Sequence, residues 1–185
     1  MKDGHSGARM QQIADKAGIN KSLLHYYYRS KDKLFSTVFK FIFSKLASDI
    51  MNIFDSEEDI FGKLEKFIEN YLRILMKNPI IPMFILNELN KKGNNLATII
   101  IKGSNINLNK FEEIIQKEID AGNIKNINPK SLIINILALC VFPIIGRPLT
   151  EEIVFNGDTK KYDEYLGQRK DEVFAIIKST ITIEK

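Results

Sequence analysis

The sequence predicts an all-α protein in which a small N-terminal helical head is joined to a larger helical body. Apolar residues recur at spacings of three and four through most of the chain, which is the pattern of helices that bury one face. No run of residues alternates apolar and polar positions between hairpin turns, as strands would. Asparagine, proline and glycine residues at the ends of the periodic segments supply start and stop signals for helices.

Composition narrows the class of protein further. The 185 residues are 44% hydrophobic and 27% charged, enough for one large domain or for a small domain packed on a larger one. No apolar run reaches the roughly 18 residues of a membrane-spanning helix, and the residues after Met1 show no secretory leader. We therefore expect a cytoplasmic protein with no membrane partner. The single cysteine, Cys140, and two distant histidines offer neither an internal disulfide nor a zinc site.

Positive charge is concentrated at the N-terminal end. Residues 1–45 contain nine lysines and arginines against three acids, a net charge of +6, whereas the remaining residues hold 18 bases and 20 acids. A basic end on a nearly neutral body suggests that this end meets a polyanion. A solvated, lysine-rich surface is the alternative, and charge alone leaves both open.

The helical pattern divides into a head over 1–45, which runs into a long helix, and a body over 46–185. Asn78-Pro79 and Pro143 limit two of the helices, because proline cannot continue the backbone hydrogen-bond pattern. We predict helices over 9–17, 21–28, 31–54, 60–77, 82–91, 95–102, 107–121, 129–142 and 160–181, with a polar loop over 146–159.

The head contains the segment RMQQIADKAGINKSLLHYYY over 9–28. Gly18 can adopt the positive φ that ends the first helix, and Asn20 can cap the second. Two short helices joined by a glycine-bearing turn form a helix-turn-helix unit. The residues expected to point inward are Ile13, Ala17, Ile19, Leu24 and Tyr28.

In such a unit the second helix enters the major groove of DNA. Lys21 and Lys31 can meet phosphates, Leu23 can touch a thymine methyl group, and Tyr26 and Gln11 can reach base edges. Core packing is the alternative for the tyrosines, and we accept it only for the last of the three. The candidate DNA-binding residues are Arg9, Gln11, Lys21, Ser22, Leu23, His25, Tyr26, Tyr27 and Lys31.

The segment from Gly4 to Leu34 resembles the DNA-binding signature of the TetR/AcrR family of bacterial transcriptional regulators. The resemblance implies a helical ligand-binding and dimerisation domain after the head. It places His25, Tyr26 and Tyr27 at DNA-contacting positions and Lys31 at a phosphate-contacting one. Family members carry a further helix before the position of Gly4, so we expect this head to lack most of its first helix. The matching residues are Gly4, Ile13, Ala14, Ala17, Gly18, Ile19, Lys21, Leu24, Ser30, Lys31 and Leu34.

In the body, aromatic and methionine side chains are candidates to line a cavity, with a solid core as the alternative for each. No charged cluster in the sequence indicates a charged ligand. The candidate pocket residues are Phe67, Tyr71, Leu75, Met76, Met83, Phe84, Phe111 and Phe142.

The two last helices are the candidates for a dimer interface. The helix from 129 is apolar nearly all round and so must be buried on more than one side. The resemblance implies that these helices pair around a two-fold axis. The candidate interface residues are Ile133, Leu137, Val141, Val173, Phe174, Ile177 and Ile181.

These observations and the resemblance together predict a dimeric regulator that binds a palindromic operator and is released by a small, mostly apolar effector. The resemblance implies a repressor, and the sequence does not exclude an activator. The alternative is a helical ligand-binding or interaction protein that no longer binds DNA. The sequence contains no nucleophile elbow, phosphate-binding loop, dinucleotide-binding glycine pattern or metal triad, so we expect neither an enzyme nor a cofactor.

Overall fold

The computed structural model describes residues 9–89 and 107–183, and these residues form helices joined by short turns. No strand occurs among them. The helices are α1 (Met10–Ala17), α2 (Lys21–Tyr28), α3 (Lys31–Phe54), α4 (Ile60–Lys77), α5 (Ile80–Leu89), α6 (Leu108–Asp120), α7 (Pro129–Ile145), α8 (Arg147–Ile153) and α9 (Thr159–Ile181). The all-α prediction is confirmed. The predicted bounds of α2, α3 and α4 are also confirmed, and the helix predicted over 95–102 lies outside the described residues.

The predicted loop over 146–159 is wrong, because its first half forms α8. Arg147 in the first turn of α8 donates from Nε to the Glu151 carboxylate at 2.6 Å, one helical turn later. The Thr159 hydroxyl donates to the same carboxylate at 2.5 Å. These contacts stabilise a short helix that has little apolar periodicity and therefore gave no sequence signal.

The prediction that Pro143 ends its helix is also wrong, since α7 continues for two residues beyond it. Proline has no N–H to donate to the carbonyl four residues earlier, which belongs to Leu139. Arg169 supplies the missing donors, with Nε at 3.2 Å and Nη2 at 3.0 Å from the Leu139 oxygen. The hydroxyl of buried Tyr162 donates to the Pro143 carbonyl at 2.5 Å. We call this contact region between α7 and α9 the seam.

The described chain divides into two compact units. The first contains 9–47 and 80–89, and the second contains 48–79 and 107–183. In the first unit, α1 and α2 pack on a small core of Ala14, Leu24 and Leu34, with Met10, Ile13 and Tyr28 at its edge. The boundary falls within α3, between residues 47 and 48.

The second unit has the larger core. Helices α4, α7 and α9 pack on one another, and α6 and α8 pack against α7. The side chains that are fully or almost fully buried include Leu64, Ile68, Ile115, Ile136, Cys140, Val173, Ile177 and Ile181. Within the described ranges, no single helix is long and apolar enough to cross a membrane; α7 and α8 reach that length only as a pair bent by 72°.

Candidate nucleic-acid interface and surfaces of the second unit

The turn between α1 and α2 has the geometry that the sequence predicts. Gly18 has a φ of 65°, a conformation that side chains disfavour, and its N–H donates to the Asp15 carbonyl at 3.2 Å. The Asn20 side-chain oxygen accepts from the Ser22 N–H at 2.8 Å and so caps α2. The turn therefore fixes where α2 begins and which of its faces is left outside.

The outer face of α2 presents aromatic and basic side chains to solvent. Tyr26 and Tyr27 are 78% and 66% exposed, and their rings meet edge to face with centroids 5.3 Å apart. Leu23 is 45% exposed. Lys21, Ser22 and His25 are exposed on the same helix. A helix with exposed rings, a cation and hydrogen-bonding groups can enter a major groove and contact bases and phosphates.

The remaining candidate DNA contacts lie on the flanking elements. Arg9 is exposed, and its backbone N–H donates to the Gln12 side chain at 3.1 Å at the start of α1. The Gln11 amide donates to the Asp15 carboxylate at 2.7 Å. Lys31 is half-buried at the start of α3. A base contact by Gln11 would therefore replace an existing hydrogen bond.

The inward-facing residues of the head are only partly as predicted. Leu24 is buried, and Ile13 and Tyr28 are half-buried against the same core, which confirms those three assignments. Ala17 and Ile19 are exposed, so their assignment is wrong. The described core of the head, which contains Ala14, Leu24 and Leu34, does not extend to the end of α1 or to the turn.

The predicted pocket residues whose side chains the structure describes do not surround one cavity. Phe67, Leu75 and Phe111 are buried in the solid core, where Phe54, which the sequence prediction missed, packs against both rings. Tyr71 stacks on Phe67 at 6.1 Å, and burial raises the pKa of its hydroxyl.

Three of the predicted pocket residues lie elsewhere. Met76 on α4 and Phe142 on α7 are exposed in the second unit. Met83 is exposed on α5, in the first unit. The side chain of Phe84 lies outside the described atoms. The sequence shows that these residues are apolar, but not which of them share a surface.

A groove of about 420 Å³ lies between α4 and α9. Of the predicted pocket residues whose side chains the structure describes, only Met76 lines it. The groove also brings three cations together, although the sequence gave no indication of a charged ligand. The missed signal is the i, i+4, i+8 spacing of Glu69, Arg73 and Lys77 on one face of α4. The groove is lined by Glu69, Leu72, Arg73, Met76, Lys77, Leu166, Gly167 and Lys170.

The predicted interface residues on α9 are mostly internal. Val173, Ile177 and Ile181 are buried in the core of one chain, so they present no surface to a second copy in this conformation. They are buried because the apolar stripe of α9 packs on α4 and α7, and their role in a dimer stays a prediction. Phe174 is half-buried, and Ile133, Leu137 and Val141 are half-buried on α7. The exposed apolar residues on these two helices are Ile134, Phe142 and Ile176.

The described part of the chain holds neither a candidate metal site nor a reactive thiol. Among those residues, no group of three or more histidine, cysteine, aspartate or glutamate side chains could hold a metal ion. Cys140 is fully buried in the second unit, and burial raises the pKa of its thiol to about 12. This thiol is therefore neutral at physiological pH, as expected of a small core residue.

Comparison with known proteins agrees with this geometry. Residues 1–38 match the family model described as bacterial regulatory proteins of the tetR family. No curated protein sequence matches the chain.

Solved structures match over nearly the whole chain. The transcriptional regulator FadR from Bacillus subtilis, solved with stearoyl-CoA, has 17% identity, covers 95% of this chain and 90% of its own, and has a TM-score of 0.69. PfmR, a TetR family regulator from Thermus thermophilus, has 14% identity, covers 100% and 93%, and has a TM-score of 0.69. The fatty acid degradation regulator FadR from Bacillus halodurans has 13% identity, covers 94% and 90%, and has a TM-score of 0.64. The N-terminal segment is therefore similar to the DNA-binding part of tetR-family regulators, and the chain shares the fold of the matched structures.

Proposed function

We propose that this chain is a dimeric transcriptional repressor that binds a palindromic operator through its head and is released by a small, mostly apolar effector. The observation that carries the proposal is the outer face of α2. Tyr26 and Tyr27 are large rings held in solvent by a turn that Gly18 and Asn20 define. Burying such rings is favourable, so leaving two of them exposed on a helix with basic neighbours favours a partner that covers them.

The chemistry of this face suits double-stranded DNA. Lys21 at the start of α2 can contact a phosphate, which supplies affinity that falls with salt. Leu23, Tyr26 and Tyr27 can contact base edges, which supplies preference among sequences. The roles of Arg9, Gln11, Ser22, His25 and Lys31 belong to the same proposal.

Exposed apolar residues on the outer face of α7 favour a second copy of the chain as a partner. Ile134 and Phe142 are 62% and 55% exposed, eight residues apart, and Ala138 lies between them on the same face. Ile176 adds an exposed apolar residue on α9. A two-fold dimer would cover these residues and set two α2 helices against half-sites about 34–36 Å apart.

We propose a fatty-acyl compound as the first class of effector to test. Of the neighbours reported above, one was solved with stearoyl-CoA, and another is named as a regulator of fatty acid degradation. An effector can release the operator only if it binds the DNA-free conformation more tightly than the DNA-bound one. We place this response in the body, 46–185, and operator binding in the head, 1–45.

Operator binding is tested by fluorescence anisotropy, using the duplex upstream of the chain's own gene and a scrambled duplex over a range of salt concentrations. We expect Tyr26→Ala to weaken binding to the upstream duplex about tenfold or more. Lys21→Gln should lower the slope of affinity against salt by about one. Ile153→Ala is the matched control, because Ile153 is 67% exposed on α8 in the second unit and should not change either quantity.

Equal binding of both duplexes, or equal binding by the wild type and Tyr26→Ala, would contradict the proposal. The chain would then be better described as a helical ligand-binding or interaction protein that no longer binds DNA.

A further inference from the structure

The groove between α4 and α9 has an apolar floor. Leu72 and Met76 line it from α4, and Leu166 lines it from α9. Met76 is 45% exposed even though a methionine side chain adapts readily to fill gaps in a core. At about 420 Å³, the groove is within the usual size range of sites for small molecules.

Gly167 keeps one wall of the groove open. It lies in the interior of α9, and a Cβ added to it would meet no atom within 4 Å. Its φ is not in the positive range, so the backbone does not require glycine. Glycine inside a helix is destabilising relative to alanine. Because no contact among the described residues explains this glycine, its missing side chain favours an occupant that lies close to the helix.

Positive charge lines the other part of the groove. Arg73 and Lys77 are exposed one turn apart on α4, and Lys170 faces the groove from α9. Lys170 is already engaged, since its amine donates to Glu65 at 2.9 Å and contacts Asp171 at 3.1 Å, and these acids raise its pKa.

The charge that remains suits a single negative group. Glu69 offsets one of the two cations on α4, Arg73 and Lys77, so these three residues have a net charge of +1. A cation near the end of a helix also complements the helix dipole, and charge alone would not define a site. Here the charge lies next to an apolar floor and next to Gly167, which places no side chain in the groove.

These three features together point to the occupant. We propose that the groove between α4 and α9 binds a single-chain amphiphilic carboxylate, with the chain on Leu72, Met76 and Gly167 and the head group at Arg73 and Lys77. A neutral apolar molecule would leave the remaining net charge of +1 on this face of α4 without an anion. The proposal extends the proposed function by giving a place and a charge to a ligand, and it rests on that function only for any effect on DNA binding.

The site is tested by isothermal titration of the full chain with dodecanoate below its critical micelle concentration, in the absence of DNA. Gly167→Leu fills the groove and should weaken binding about tenfold or more. Gln168→Leu is the matched control, because Gln168 is the neighbouring exposed residue and is not part of the groove lining. It should bind dodecanoate as the wild type does.

The charge is tested separately with Arg73→Gln combined with Lys77→Gln. This double variant should bind dodecanoate about tenfold more weakly and should bind the neutral dodecyl maltoside as the wild type does. Gly167→Ala should raise the melting temperature by removing a helix-interior glycine, which verifies that the position tolerates a side chain.

Absence of saturable dodecanoate binding to the wild type would overturn the proposal. So would equal binding by Gly167→Leu and Gln168→Leu, since the ligand would then occupy another place. Either result could accompany normal operator binding, which would leave the proposed function intact. Normal dodecanoate binding by a chain that shows no operator preference would support the groove and contradict the repressor.

Discussion

Tyrosine and basic side chains occur together in two regions of this protein, the outer face of α2 and the seam between α7 and α9, but their surroundings differ. In the seam, Tyr162 is fully buried, its hydroxyl donates to a backbone carbonyl, and the Arg147 guanidinium lies 4.7 Å from its ring centre. On α2, Tyr26 and Tyr27 contact each other and form no hydrogen bond within the described part of the chain. The same residue types therefore stabilise the fold in one region and remain available to a partner in the other.

The difference shows how to separate structural from functional residues in a single chain. Arg169 would be a plausible anion-binding residue on sequence alone. Its Nε and Nη2 instead donate to the Leu139 carbonyl that Pro143 leaves unpaired, and its Nη1 donates to Glu172. Internal hydrogen bonds account for Arg169, whereas Tyr26 contacts the Tyr27 ring and forms no hydrogen bond within the residues that the structure describes. Substitutions in the two regions should accordingly change different quantities.

The largest expected effect compares Tyr162→Ala with Tyr26→Ala. Removing the buried ring of Tyr162 leaves a cavity and an unpaired carbonyl, so we expect the free energy of unfolding to fall by about 3–5 kcal/mol. Tyr26→Ala should change it by less than about 0.5 kcal/mol, because the ring is mostly exposed. Urea denaturation followed by circular dichroism measures both. A large loss of stability in Tyr26→Ala would show that the α2 face also serves the fold and would weaken the comparison.

The second prediction tests whether Arg169 acts through the carbonyl that Pro143 leaves unpaired. Arg169→Met should lower the free energy of unfolding by about 1–3 kcal/mol, because the Leu139 oxygen loses its donors. In a Pro143→Ala background, the alanine N–H can donate to the Leu139 carbonyl instead. Arg169→Met should therefore lower the free energy of unfolding by less in that background.

A double-mutant cycle by urea denaturation isolates this coupling. Its control is Glu172→Gln, which removes the 3.1 Å ion pair between Arg169 and Glu172 and leaves the carbonyl contact in place. Equal costs of Arg169→Met in the two backgrounds would mean that Arg169 stabilises the seam by packing or charge alone.

The two regions also differ in how far sequence could predict them. Gly18 and Asn20 could be read directly, because a positive φ and a helix cap are set by residues within one turn of each other. The seam could not be read in this way, because Arg169 and Leu139 are thirty residues apart and the proline suggested an end to the helix. The groove could not be predicted from sequence for the same reason, because α4 and α9 are far apart in the chain and only packing brings Arg73 near Gly167.

Apolar periodicity has a related limit. It marks the stripe of α9 as apolar, but it does not state whether the covering surface belongs to the same chain or to a second copy. Val173, Ile177 and Ile181 are covered by their own chain, whereas Ile134 and Phe142 remain exposed. The residues predicted for the DNA contact, the pocket and the interface stay predictions until the partners are tested.

The smallest expected effect is a pH dependence of stability that arises beside the seam. Burial raises the pKa of the Cys140 thiol from 9.0 to about 12, and the nearby Arg169 charge lowers it in part. The folded chain therefore holds this proton more tightly than the unfolded chain does. The resulting stability is fully present below pH 9 and is lost as the pH rises from 9 towards 12, because the unfolded thiol ionises first.

We expect the free energy of unfolding of the wild type to fall, relative to that of Cys140→Ala, by less than about 1 kcal/mol between pH 8 and pH 9.5. Urea midpoints of both proteins across this range measure the difference, and the constant cost of the cavity in Cys140→Ala cancels in the slope. Parallel pH curves would mean that the folded thiol ionises as readily as a free one. The region around the seam would then be open to water, and its contrast with the exposed face of α2 would be smaller than the burial of Cys140 implies.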